Sequence, residues 1–287
     1  MSSKSNTVSL RGAVVGRVLM VLRQLIALTA IVVVGSTVSG TVAAADIRFN
    51  RDDFTIYLDG EIQRGDAERI VGMVVDADVV ASIEVNSMGG DFNEAMRISS
   101  LVKDLHLDVY VSQGKLCVSS CFFVWLAGEH RRAAGVADAK GRLESQSNRD
   151  SWLGGLGVHR PYFKVPLGMA DAPKQQEQMM RKVKEYLVSE GVSQYLIDEM
   201  MSHPSNAIYW LNDRDLDAIG EYAPGVEETL IAKCGFKRSR TRILEGWSSE
   251  KNRQLNTCVT QAMLFNKIPL FQAYSAKLRK GWRPWKN

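Results

Sequence analysis

The chain has 287 residues, 45% hydrophobic and 24% charged, with 36 Lys+Arg, 32 Asp+Glu and four cysteines. This composition excludes a disordered tail, a collagen-like fibre and a small disulfide scaffold, and the length suits one large domain or two small ones. The net charge of +4 is uneven: residues 1–45 hold Lys4, Arg11, Arg17 and Arg23 and no acid, which leaves 32 bases against 32 acids and no basic footprint for nucleic acid.

The first 45 residues read as an address. An apolar run from Leu25 to Val34 follows Arg23, becomes small and weakly polar, and ends in Ala43-Ala44-Ala45. A basic stretch, a short apolar core and a small-residue end form a secretory signal, which predicts cleavage after Ala45. The alternative is an uncleaved anchor. The strict run falls short of the ~20 residues of a membrane span, but continuation through Val42 reaches that length. Cleavage gives a periplasmic or secreted protein. Retention gives an extracytoplasmic domain held at the membrane, the one case in which membrane contact is expected.

Next come alternating elements. Thr55 to Leu58 is β-rich and ends at Gly60. Asp66 reads as the N-cap of a helix from Ala67 to about Val75. Ser82 to Val85 is a short strand running into Asn86-Ser87-Met88-Gly89-Gly90. Asp91 opens a second helix, with Glu94 completing a capping box. Phe92, Ala95, Met96, Ser99, Val102 and Leu105 share one face of it at helical spacing. Val109 to Ser112 is a third strand, and Ser120 to Gly128 reads as a buried helix. Strands alternating with helices at this spacing predict βαβ units and a mainly parallel sheet. Residues 136–156 form a polar, Gly-containing insertion before the strand-like Gly157-Val158-His159. Lys174 to Glu190 is a long amphipathic helix closed by Gly191, and Ser193 caps another to about Met201. Two further helical patterns surround Cys234 and Cys258. The basic end, with Trp282 and Trp285 interleaved, reads as solvated. The expected division is 1–45 signal or anchor, 46–225 α/β domain and 226–287 helical extension.

Two segments carry chemistry. In Ser87-Met88-Gly89-Gly90 the glycines let the backbone turn sharply and aim N–H groups outward. In Cys117-Val118-Ser119-Ser120-Cys121 a serine precedes a buried helix. It feels the positive end of the helix dipole, and the next N–H is free of any intrahelical partner. A nucleophile and an oxyanion donor can thus come from adjacent residues. Taken singly, these are a plain strand-to-helix turn and an N-cap serine. Of the four histidines, His159 lies in a strand-like stretch, His203 lies further on, and His106 and His130 read as solvent-facing. No His or Cys pair has metal-ligand spacing, so no metal and no cofactor is expected. In an oxidising compartment the four cysteines form an even set. Cys234 with Cys258 would close a loop of about 25 residues, contributing roughly 3 kcal/mol. Cys117 and Cys121 admit a local bridge, a pair of small buried apolar groups, or redox control of the serine. A bridge requires Cys117 to lie outside the helix.

The order strand, NSMGG, helix, strand, SS, apolar helix, His resembles the proteolytic subunit of Clp protease, within the crotonase-like superfamily, over about residues 55–222. Its cysteine-flanked serine and export signal resemble an extracytoplasmic branch of Clp-like proteins. The resemblance implies a ββα spiral with a mainly parallel sheet. Spacing from Ala127-Gly128 puts the family's nucleophile at Ser119. By resemblance, His159 in Val158-His159-Arg160-Pro161 matches the family's base, and Gly90, the second of the glycine pair, with Ser120, the residue after the nucleophile, matches its oxyanion donors. Met88 stands where the family has proline. The family's acid falls in Ser202 to Ile208, which holds no Asp, so Asn206 is the expected third member, with Asp198 and Asp213 as alternatives. The implied activity is that of an ATP-independent serine peptidase acting on peptides or proteins by acyl transfer. The alternative is a fold-retaining, catalytically inactive binding or scaffold protein. A crotonase-type acyl-CoA enzyme conflicts with export. By position the 174–190 helix matches the family's assembly helix, which implies a homo-oligomer. Its other reading is a helix packed on its own core.

Overall fold

The computed structural model describes residues 44–134, 155–162, 172–235 and 250–286. The expected signal segment up to Ala43 and nearly all of the 136–156 insertion lie outside these residues.

A five-stranded sheet has the order β1-β2-β3-β4-β6: β1 Asp46–Asn50, β2 Thr55–Asp59, β3 Ser82–Asn86, β4 Asp108–Val111 and β6 Arg131–Ala133. The hairpin β1–β2 is antiparallel and every other pairing is parallel, with Ile56 opposite Ile83 and Ile83 opposite Val109. Parallel neighbours need a crossover. Helix α1 (Asp66–Asp76) links β2 to β3, and α2 (Phe92–Asp104) links β3 to β4. The route from β4 to β6 passes through β5 (Leu116–Val118) and α3 (Cys121–Leu126). A second sheet has the order β5-β7-β8, with β7 Gly155–Val158 parallel to β5, and β8 Tyr209–Trp210 antiparallel to β7. The architecture is α/β with mainly parallel pairing, as expected.

One apolar core joins these layers. Ile56, Leu58, Ile83, Val85 and Val109 supply it from the strands, Ile70, Ile98 and Leu101 from α1 and α2, and all six residues of α3 are buried. Helix α4 (Ala172–Ser189) buries a single stripe, Met179, Val183 and Leu187, against the same core. Its outward face carries Lys174, Arg181, Lys182, Lys184 and Glu185. Helix α5 (Gln194–Ser202) starts with Ser193 as N-cap, as the sequence predicts. Helix α6 (Asp213–Ile219) follows β8.

Several sequence expectations need correction. Gly65, not Asp66, is the N-cap of α1, because its φ of 105° suits glycine. Asp66 is the first helical residue, and its carboxylate accepts from Gln63 N–H at 2.8 Å. Asp91 caps α2 by accepting from Glu94 N–H, but Glu94 does not close the box. Its buried carboxylate accepts from Gly65 and Ala67 N–H at 3.0 and 2.8 Å and so caps the neighbouring helix instead. The C-terminal end is not a solvated tail. Helices α7 (Pro224–Cys234) and α8 (Glu250–Arg279) are joined by Cys234–Cys258, and α8 packs on α1. Phe271 and Leu278 enter the core, Trp282 and Trp285 pack against it, and Arg283 pairs with Glu68 at 2.8 Å. No helix among the described residues is long and apolar enough to cross a membrane.

His106 and His130 are half-buried rather than solvent-facing. His106 binds the Glu129 carboxylate, and His130 lies between Tyr110 and Tyr222, stacked on the latter with ring centroids 4.8 Å apart.

Candidate active site

Asn86, at the end of β3, fixes the start of β5. Its side chain accepts from Leu116 N–H at 3.0 Å and donates to Asp59 at 2.9 Å. Ser87 then pairs in parallel with Cys117: Ser87 N–H donates to Leu116 O, and Val118 N–H to Ser87 O. These bonds splice the small sheet to the large one at the Ser87-to-Gly90 turn. The buried Ser87 hydroxyl accepts from Gly89 N–H at 3.0 Å and holds the turn closed.

On the other side Ile62 brackets Gly90. Ile62 N–H donates to Gly89 O at 2.9 Å, and Asp91 N–H to Ile62 O at 2.8 Å. Gly90 has φ 147°, and a Cβ there would sit 2.1 Å from Ile62 O, so the position admits only glycine. A Cβ on Gly89 would come within 2.8 Å of Ser119 Cβ and 3.0 Å of Ser120 N. The glycine pair and the serine pair therefore touch, and Ser120 Oγ donates to Gly90 O at 3.3 Å.

Ser119 links β5 to α3 with φ 57°. Left-handed backbone is uncommon for a residue with a side chain and costs roughly 1–2 kcal/mol. A sharp strand-to-helix turn of this kind lifts a hydroxyl clear of the backbone. Ser119 is half-buried, and its N–H is tied to Gly157 O at 3.0 Å. The N–H groups of Gly90 and Ser120 have no acceptor among the described residues. Cys117 and Cys121 flank the turn and form a disulfide, with Cys117 on β5 and Cys121 opening α3.

Val118 on β5 lies opposite Gly157 on β7, so the two strands deliver Ser119 and His159 from adjacent, parallel ends. His159 is buried at 9% exposure. Its Nδ1 lies 3.0 Å from Arg160 O. A carbonyl only accepts, so Nδ1 carries a proton, and in the neutral ring the lone pair lies on Nε2. Arg160 is held in turn by its N–H, which donates to His203 O at 3.0 Å. No hydrogen bond joins His159 to Ser119 Oγ in this structure. Asn206 is exposed in the turn before β8 and makes no hydrogen bond to His159. Asp198 is exposed on α5 and accepts from Gln194 at 2.8 Å.

Two apolar side chains stand in the open beside this site. Met88 adjoins Gly89 and is 57% exposed; Tyr162 is 48% exposed, with its ring 6.0 Å from that of His159. Sequence reasoning missed Ile62 and the Arg160 carbonyl. Both act through the backbone, which leaves no side-chain signal. Asn86 and Ser87 stood within the turn motif, and the polar pair ending a buried strand was their signal.

No family model matches the chain, and no curated protein sequence matches it. Among solved structures it is similar to ClpP1 from Listeria monocytogenes, at 16% identity over 60% of this chain and 89% of that one, with a TM-score of 0.42. A point mutant of that ClpP1 matches at 17% identity over 60% and 90%, with a TM-score of 0.38. A serine-to-alanine mutant of the 1510-N membrane-bound stomatin-specific protease matches at 15% identity over 63% and 84%, with a TM-score of 0.41.

Proposed function

We propose that the protein is an exported, ATP-independent serine hydrolase that cleaves peptide bonds, with a fold of the Clp-protease type. The observation that carries this reading is local. A left-handed Ser119 stands beside two N–H groups, of Gly90 and Ser120, that no described residue accepts from. A histidine whose Nδ1 is turned to a backbone carbonyl sits just past the end of the adjacent strand. Unpaired backbone donors next to a nucleophile are the means of holding a developing oxyanion.

His159 Nε2 takes the Ser119 hydroxyl proton as Oγ attacks the substrate carbonyl. Gly90 and Ser120 N–H hold the oxyanion. The imidazolium then gives its proton to the leaving amine, and water releases the acyl group by the same steps in reverse. Arg160 O holds the histidine tautomer, the task a carboxylate performs in other triads. A carbonyl lacks the charge that steadies an imidazolium, so turnover is slower than in a full triad. Export rests on the basic and apolar N-terminal segment with its Ala43-Ala44-Ala45 end. Assembly into a homo-oligomer through the exposed face of α4 belongs to the same reading.

A second reading, a non-catalytic binding protein, is favoured by two absences among the described residues: no hydrogen bond joins Ser119 to His159, and no carboxylate binds His159. The two part on a single experiment. Folded, oxidised protein is treated with a fluorophosphonate serine probe beside Ser119→Ala and His159→Ala. Labelling that needs both side chains is expected, with loss of at least about 100-fold in either variant. Labelling that survives Ser119→Ala, or none in the native protein, overturns the hydrolase.

A further inference from the structure

The Cys117–Cys121 bond encloses the candidate nucleophile. Three residues separate its ends, and the middle one, Ser119, is the one with left-handed backbone. Both cysteines are fully buried, so the bond contacts core rather than solvent. One end is fixed in β5, whose neighbour β7 runs directly into His159; the other begins α3, whose six residues are all buried. The bond therefore ties together the two rigid elements between which Ser119 turns. Ser119 is also held by a hydrogen bond from its N–H to Gly157 O at 3.0 Å, by one from Phe122 N–H to its own carbonyl at 3.1 Å, and by the glycine surface of Gly89. Each of these is a single weak interaction that a relaxing turn can exchange for water, whereas the covalent link across the turn cannot be exchanged.

We propose that the Cys117–Cys121 disulfide is a positioning element that holds Ser119 in its left-handed, hydroxyl-presenting conformation, so that the nucleophile is poised only in the oxidised protein. The proposal rests on the hydrolase reading and adds to it a dependence on compartment. A reducing environment yields a folded protein with a relaxed serine; an oxidising one yields the poised form. Reduction by a dithiol breaks the S–S bond and transfers two electrons and two protons. Cys117 and Cys121 become thiols, and the reductant closes to its own disulfide. Burial of both sulfurs makes this slow in the native state, so the bond acts as a permanent brace in oxidising surroundings rather than a rapid switch.

The test compares the native protein with Cys117→Ala/Cys121→Ala and, as a control for losing a disulfide elsewhere, Cys234→Ser/Cys258→Ser. Fluorophosphonate labelling is measured against probe concentration, which separates the limiting rate from the half-saturating concentration. Near-ultraviolet circular dichroism sets a temperature at which each protein is folded. Amide hydrogen exchange at Ser119 is followed in the same samples and does not depend on catalysis. A serine freed from left-handed backbone relaxes toward the ordinary helical region, so the limiting rate is expected to fall by roughly tenfold. Half-saturation stays unchanged and Ser119 N–H exchange speeds up. The Cys234→Ser/Cys258→Ser protein keeps the native rate.

A folded Cys117→Ala/Cys121→Ala protein with the native limiting rate and native exchange overturns the proposal. So does one that cannot fold at any temperature, because the bond then holds the fold and not the serine. Native, oxidised protein that never labels but shows faster Ser119 exchange without the bond overturns the hydrolase reading and leaves the brace in place.

Discussion

Gly90 shows how one backbone position can set both stability and chemistry. Its missing side chain lets the Ile62 backbone lie against it, and its φ of 147° is closed to residues with a Cβ. The same conformation leaves its N–H unaccepted beside Ser120. Gly90→Ala must push Ile62 away and break the bonds from Ile62 N–H to Gly89 O and from Asp91 N–H to Ile62 O. Overpacking and backbone strain together cost roughly 3 kcal/mol. Urea unfolding should show that loss, and probe labelling should vanish in protein that is still folded. Gly225→Ala is the control: a Cβ there meets nothing within 4 Å, and its unfolding midpoint should stay near the native value. A Gly90→Ala protein as stable as the native one would show that the turn has slack and that the close approach to Ile62 is not what requires glycine.

At the scale of elements, the sequence disclosed what depends on period and punctuation. β2, β3, α2, α3 and α5 lie where apolar spacing, glycines and caps put them, within a residue or two, and helices hold Cys234 and Cys258 as expected. It misdirected where a side chain had two partners to choose from. Glu94 at the third helical position satisfies the sequence rule for a capping box, yet Asp91 N–H is taken by Ile62 O and the Glu94 carboxylate accepts from the N-terminus of α1 instead. The tail misled for a related reason: a basic, tryptophan-containing end reads as solvated until α1 is known to lie beneath it. Within the site, the turn glycines and Ser119 were legible as motifs. The bracketing by Ile62 and the carbonyl on His159 were not, since backbone partners carry no residue signature.

The start of the fold obeys the same logic. Ala44 pairs with Glu61, Ala45 is buried, and its carbonyl accepts from Arg69 at 2.8 Å. All three features precede β1. A chain beginning at Asp46, as cleavage after Ala45 leaves it, forgoes them. Removing a buried methyl and a hydrogen bond to a guanidinium costs roughly 2 kcal/mol. Residues 46–287 should therefore unfold at lower urea than residues 44–287. Equal midpoints would mean that Ala44 and Ala45 merely lie along the fold without supporting it.

Across the whole molecule, the C-terminal helix docks onto a set of ionisable groups, which makes its attachment sensitive to acid. Lys267 of α8 binds Asp108 and lies 3.5 Å from Glu129, whose carboxylate also binds His106. His130 stands beside them between two tyrosines. Burial first, then the charges of Arg132 and Lys267, push its pKa down from 6.5 to about 3. The folded protein thus keeps His130 neutral where the unfolded chain protonates it. Stability that is complete above pH 6.5 is lost as pH falls from there towards 3. By pH 5 the loss is on the order of 2 kcal/mol. Asp108 works the other way: burial raises its pKa against the pull of Lys267, and its stabilising contribution is lost as pH rises from the carboxylate range. Its effect has the opposite sign, so the fall in stability between pH 7 and pH 5 comes from the histidine. His130→Phe keeps a ring for Tyr222 to stack on and removes the titration. Urea midpoints at pH 7 and pH 5 should fall steeply in the native protein and change little in His130→Phe. An unchanged pH slope in the variant would place the acid sensitivity in other groups, with the Lys267 carboxylates the next to test.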